Sequence, residues 1–172
     1  MTQSSYESTS QIMCCPESVV LRSLPHFTII CGILMVEQET NRMVFVEQRA
    51  REELPPGIVG LPKGTFEVAK DKTFRDCAIR EFCEETNANS ETFRAIHLGR
   101  IATILNYARL RITIIFTCTV PQIPALSRGS EIERIVILTP DDVAQLPQKS
   151  MSKETAMIVR VIDAISQSAQ SA

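Results

Sequence analysis

Residues 61–87 read LPKGTFEVAKDKTFRDCAIREFCEETN, and the fold turns on how the second half of this stretch is disposed. Thr73 followed three residues later by Asp76 is a capping-box-like pair that opens a helix. Asn87 closes it with a residue that tolerates the left-handed conformation in which helices often end. The two signals predict a helix over 73–86. At ~100° per residue, Glu81, Glu84 and Glu85 stand at i, i+3 and i+4 within an arc of about 100°. Ile79, Phe82 and Cys83 occupy a similar arc on the far side, so the helix is expected to bury one face and turn three carboxylates toward a cleft.

An acidic run on a helix is ordinarily a solvated face, where Lys or Arg four residues downstream adds ~0.2–0.5 kcal/mol per pair. Here those downstream positions are Ala88 and Asn89, which carry no charge. Only Arg80, four residues before Glu84, can pair along the helix. The remaining charges repel unless a cation binds or protons are taken up. A hard divalent ion with oxygen ligands answers that requirement, and Mg²⁺ is the default. Upstream, Gly64 lets backbone approach closely, so that its carbonyl can join the carboxylates around a metal. Lys63 can then meet phosphate as a point charge.

Outward from this segment, apolar and β-branched runs predict strands over 27–36, 42–48, 95–105, 109–120 and 133–138. Helical signals fall at 73–86, in a short stretch after Pro140, and over 152–165. Strands and helices interleave without a βαβ rhythm, which favours a mixed sheet covered by helices over a doubly wound parallel one. The ends are biased toward Ser, Thr, Gln and Ala, so residues 1–23 and 166–172 are expected to be flexible tails around one domain over 24–165.

Composition bounds the rest. The 172 residues are 44% hydrophobic and 22% charged, the balance of one ordinary globular domain. A net charge of −2 excludes a polycation that holds nucleic acid by bulk charge, so an anionic ligand must be held locally and no DNA partner is expected. The longest apolar run is about half the ~20 residues a membrane-spanning helix requires. With neither a basic n-region nor an apolar h-region at the start, a cytoplasmic location is expected. The six cysteines contain no C-x-x-C spacing and read as reduced thiols; the adjacent Cys14 and Cys15 have no explanation.

The segment resembles the signature of the Nudix hydrolases, G-x5-E-x7-R-E-U-x-E-E-x-G-U with U a bulky apolar residue. Gly64, Arg80, Glu81, Phe82, Glu84 and Glu85 match it. The resemblance implies the family's α/β/α sandwich with a mixed central sheet, and cleavage of a pyrophosphate bond in a nucleoside diphosphate derivative with Mg²⁺ or Mn²⁺. Glu81, Glu84 and Glu85 would hold the ions, Glu85 would take the proton from the attacking water, and Arg80 would orient Glu84. Three positions depart from the pattern. Two extra residues between Gly64 and Arg80 place Lys70 or Lys72 where the first glutamate belongs, with Glu67 the nearest glutamate. Asn87 replaces the last glycine, and Ala88 is small where the family has a bulkier residue.

Many relatives add an acid from outside this box, for which Glu131 and Glu133 are the candidates. Within the family, KDKTFRDCAIREFCEET and the later EIERIVILTPDDVAQLP resemble the mRNA-decapping members and their short viral relatives, which implies a capped RNA 5′ end as substrate. Against this, aromatics are 5% with no Trp, whereas cap and single-stranded RNA recognition lean on stacking and basic grooves. Tyr107, Arg109 and Arg111 alternate, and on an extended strand they would offer one face to a nucleotide. Arg49 and Arg51, before the PPG turn, are further candidates for phosphate contact. The alternatives are a pyrophosphohydrolase of dinucleoside polyphosphates, diphosphoinositol polyphosphates or nucleoside triphosphates, and a non-catalytic binding module of the same fold.

Overall fold

The apolar run expected at 27–36 is a ten-residue strand, Thr28–Glu37, in a computed structural model that describes residues 10–12, 26–50, 56–93, 96–152 and 154–160. It is buried on both faces for most of its length, which is why its sequence is continuously apolar instead of alternating. In chain order the strands are β1 (Ser10–Ile12), β2 (Thr28–Glu37), β3 (Met43–Gln48), β4 (Val59–Gly60), β5 (Lys63–Thr65), β6 (Gly99–Asn106), β7 (Arg111–Val120) and β8 (Ile132–Leu138). Helix α1 (Phe74–Thr86) falls between β5 and β6, α2 (Pro140–Gln145) follows β8, and α3 covers residues 154–160.

These strands form one mixed sheet in the order β1-β6-β7-β2-β3-β4, with β5 added to β2 and β8 to β3. The β2–β7 ladder is parallel over ten residues, from Thr28↔Arg111 to Glu37↔Val120, and the other ladders are antiparallel. Because β7 occupies one edge of β2 throughout, β3 and β5 must share the other. β5 takes Ile30 to Gly32, and β3 pairs only at Val36↔Met43. The sheet therefore forks along that edge.

Both faces are covered. On one, Phe74, Cys77, Ala78 and Phe82 of α1 pack on Cys31, Ile33 and Met35 of β2 and on Ile112 and Ile114 of β7. On the other, Leu34, Phe45, Ile104 and Ile115 meet Val143 of α2 and Ile158 and Val159 of α3. The expected α/β/α sandwich is the observed architecture. Cys31, Cys77, Cys83 and Cys118 are free thiols, and burial pushes the Cys118 thiol up to about 12. Among the described residues no helix is long and apolar enough to cross a membrane.

One expectation needs correction and several fall outside the described residues. Within 1–23, read as a flexible tail, Ser10–Ile12 adds an edge strand to β6 in the register Ser10↔Asn106, supplying partners to an otherwise open edge. Cys14, Cys15, Arg51 and residues 166–172 lie outside the described residues, and of the helix expected at 152–165 only 154–160 is described. The short strands β4 and β5 have no periodicity signal because two or three residues cannot carry one.

Phe82 is fully buried between α1 and the sheet, edge-on to Phe93 with ring centroids 5.2 Å apart. Phe82→Ala is expected to lower unfolding free energy by about 3–5 kcal/mol, measured by urea denaturation with an unchanged m-value.

Candidate active site

The capping box foreseen at the start of α1 is formed: Thr73 Oγ1 accepts from the Asp76 amide at 3.1 Å, and the Asp76 carboxylate accepts from the Thr73 amide at 3.0 Å. At the other end Asn87 is left-handed, with φ 49°. Between these stops the helix runs along β5, so that successive turns meet successive residues of the Lys-Gly-Thr strand. Arg80 Nη2 donates to the Thr65 carbonyl at 3.0 Å. Glu81 lies over Gly64, and Glu85 takes the Lys63 amide at 3.2 Å. A Cβ built on Gly64 would sit 2.0 Å from Glu81 Oε2, so only glycine leaves room for that carboxylate. The Gly64 carbonyl faces the buried Cys77 thiol at 3.9 Å.

Arg80 is the hub. Its Nε and Nη2 form a fork on the two oxygens of Asp71, both at 2.9 Å, while Nη1 donates to Glu81 at 2.7 Å and to Glu84 at 3.1 Å. The pairing of Arg80 with Glu84 is the one expected; the fork on Asp71 is not. The Asp71 side chain is only 1% exposed, and its hydrogen bonds from Arg80 hold its carboxyl below the usual carboxylate range. The same fork, with the charge of Glu81, holds the guanidinium more firmly protonated than usual. Asp71 stands between Lys70 and Lys72, the two positions at which the signature would place its first glutamate, and it is an acid paired with Arg80. Glu67, the glutamate nearest the signature position, instead pairs its carboxylate with Lys70 at 2.9 Å on the surface.

The three box glutamates have different environments. Glu84 is exposed, Glu81 half-buried, and Glu85 only 6% exposed. Burial pushes the Glu85 carboxyl up to about 7, against the hydrogen bond from Gln48 Nε2 at 3.3 Å and the Lys63 charge. Burial also raises Glu81, with Glu84 and Glu131 adding repulsion. The exposed Glu131 is therefore near enough to act on the box electrostatically, whereas Glu133 only lends its backbone carbonyl to Arg128 at 3.3 Å. Loop 127–129 is seated on the end of α1: the Ser127 amide donates to Thr86 O at 2.9 Å and the Gly129 amide to Glu85 O at 2.8 Å. A Cβ on Gly129 would meet Glu84 O at 2.0 Å.

Other expected contacts lie elsewhere. Lys63, expected to meet phosphate, gives its backbone amide to Glu85, and exposed Arg49 bonds the Ile132 carbonyl at 3.3 Å, next in sequence to Glu131. The alternating face of Tyr107, Arg109 and Arg111 does not exist. The chain must reverse between antiparallel β6 and β7, and Tyr107–Arg109 forms a 3-10 turn capped by Asn106 and ended by left-handed Leu110. Tyr107 packs edge-on to Phe27, and Arg111 faces Glu154 at 3.8 Å. Among the described residues none of the three bonds a box carboxylate.

Residues 26–158 match the NUDIX domain model, more than half of the chain. The chain belongs to the NUDIX family. The fold is shared widely. The NUDIX domain of Shewanella oneidensis NrtR complexed with ADP ribose superposes with a TM-score of 0.66 at 12% identity, covering 87% of this chain and 98% of that one. The MutT protein of Methanosarcina mazei Go1 gives 0.62 at 14% identity, covering 81% and 95%. A C. elegans Ap4A hydrolase binary complex gives 0.59 at 14% identity, covering 82% and 98%. No curated protein sequence matches the chain.

NUDIX hydrolases use divalent metals, and the donors here suit one. Among the described residues no three His, Cys, Asp or Glu side chains form a preformed metal cage. The box nonetheless concentrates hard oxygen donors where cationic charge is short. Glu84 and Glu85 lie at the C-terminal end of α1, where backbone carbonyls already carry partial negative charge, and no basic residue occupies the last turn. Burial keeps two carboxylates partly desolvated, a cost that a bound cation would offset.

The Asp71–Arg80 fork yields a pH signature. An aspartate titrating below its unfolded value of ~3.9 binds fewer protons when native than when unfolded. Its contribution is therefore complete above about pH 5 and is lost as pH falls through the lower native value. The stability gap between wild type and Asp71→Asn, followed by urea midpoints, should narrow steadily from pH 6 toward pH 3; a constant gap would refute the fork.

Proposed function

We propose that the chain hydrolyses a pyrophosphate linkage in a nucleoside diphosphate derivative with Mg²⁺ or Mn²⁺, and that its substrate is the capped 5′ end of RNA. The observation that carries the reaction is the graded set of carboxylates on one helix: Glu84 in solvent, Glu81 against Gly64, and Glu85 buried with a pKa near neutrality. Glu81, Glu84 and Glu85 would hold the cation, with Glu131 adding negative charge to the site. When bound, the ion supplies charge neutralisation for the phosphoryl oxygens and a more acidic water.

The chain's own residues supply the rest. Glu85, raised toward neutral pH, is matched to accept a proton from water attacking phosphorus as the bridging P–O bond breaks. Arg80 keeps Glu81 and Glu84 oriented through charge-assisted bonds, and Lys63 offers an ammonium to the substrate's phosphate. Capped RNA is favoured by the decapping-like sequence on both sides of the box. The second of those stretches folds into β8 and α2, entered through Glu131. A small-molecule substrate such as a dinucleoside polyphosphate is the second reading, because the turn at Tyr107–Arg109 removes the strand face on which RNA bases were expected to stack.

The test incubates purified protein and Glu85→Gln with cap-labelled RNA, a dinucleoside tetraphosphate and a diphosphoinositol phosphate, with Mg²⁺ or Mn²⁺. Methylated GDP should be released by the wild type and about 10²–10⁴-fold more slowly by the variant. Cleavage of the small molecules alone would remove the decapping assignment. If neither metal supports any cleavage, the chain is a binding module.

A further inference from the structure

The buried Glu85 carboxylate has one neutral donor on each oxygen, and each comes from a different arm of the fork in the sheet. Lys63 at the start of β5 gives its backbone amide to Oε2 at 3.2 Å, and Gln48 at the end of β3 gives its side-chain Nε2 to Oε1 at 3.3 Å. A backbone amide is fixed by the strand that carries it, so the first bond sets where one oxygen lies. The second bond then sets the plane of the carboxylate, because two anchored oxygens remove rotation about the terminal side-chain torsion, which is otherwise broad.

Gln48 is itself held in place by backbone. Its amide donates to the Ile58 carbonyl at 3.1 Å. The β3–β8 register shifts there, Glu47↔Arg134 being followed by Gln48↔Ile132, so one residue of β8 is bulged out beside it. Bulges of this kind redirect side chains near active sites. The neighbouring Glu47 is held by Arg134 at 2.6 Å on the outer side of the bulge. We infer that Gln48 is a positioning residue of the reaction, which fixes the plane of the Glu85 carboxylate from across the fork without touching substrate.

A neutral amide suits this work better than a cation. An Arg or Lys at this position would compete with a bound metal for the Glu85 charge, whereas an amide orients the carboxylate and leaves its charge available. The inference rests on the reading of Glu85 as a metal-holding catalytic carboxylate, and the experiment separates the two.

Gln48→Met keeps length and bulk without the donor, and Gln48→Asn keeps the amide but withdraws it by one methylene. Mn²⁺ binding to each protein is measured by isothermal titration calorimetry, hydrolysis is resolved into kcat and KM, and thermal unfolding is followed alongside. Both variants should unfold within a few degrees of wild type, bind Mn²⁺ about three- to tenfold more weakly, and lose about tenfold in kcat with KM within twofold. A purely structural glutamine would change the unfolding temperature and leave Mn²⁺ affinity and kcat together. Folded variants with Mn²⁺ affinity and kcat both within twofold of wild type overturn the inference. If the wild type binds Mn²⁺ but cleaves nothing, the proposed function fails and the titration alone decides Gln48. If the wild type binds no Mn²⁺, both readings fall.

Discussion

One guanidinium organises the catalytic side of this molecule. Arg80 is the common partner of Asp71, Glu81, Glu84 and the Thr65 carbonyl, so a single cation joins the loop before α1, two acids on α1 and the strand beneath them. Buried pairs of this kind are often worth little in net stability, because desolvation consumes most of the attraction. What the pairing provides is geometry. A forked guanidinium held on both oxygens of a buried aspartate cannot rotate, so its remaining N–H groups point in set directions. Glu81 and Glu84 are oriented by that fixed fan and not by their own packing.

The site is built by dividing tasks among acids that composition treats alike. The chain has 20 acidic residues and a net charge of −2, figures that say nothing about a strong local field. Asp71 is committed to Arg80, Glu37 to Thr40, Arg42 and the Ile123 amide at the far end of β2, and Asp142 to the cap of α2. The box glutamates are left short of cationic partners at the negative end of a helix dipole. Local field, not bulk charge, is what would draw a cation and then a polyphosphate.

Much of this was legible in residues. The buried run around Cys31 and the alternation of burial across α1 mark long elements with many repeats of their period, and capping chemistry at Thr73 and Asn87 fixes the limits of the helix locally. What sequence could not carry is whatever depends on two distant segments meeting. Asp71 stands one position off the signature's spacing counted from either Gly64 or Arg80, and it reaches Arg80 because loop 66–73 folds back in a tight turn, with the amides of Lys70 and Asp71 both on the Glu67 carbonyl. Gln48 is 37 positions from Glu85, and its contact is created by the fork. Tyr107 failed in the opposite direction: its alternation with Arg109 was real, but the need to reverse the chain between two antiparallel strands overrode it.

The seating of Gly129 on the last carbonyls of α1 has a consequence for how such a site can vary. The loop that delivers Glu131 is registered against the helix by backbone-to-backbone bonds at Thr86 and Glu85, not by the length of chain that precedes it. The segment between Val120 and Ser127 is anchored separately, by the Ile123 amide on Glu37 and by Ile123 and Leu126 packed on the core, so the acid keeps its place through the glycine that sits flush against the helix end. Its position is measured in space from the helix it serves. The part that meets the carboxylates thus stays where the end of α1 puts it.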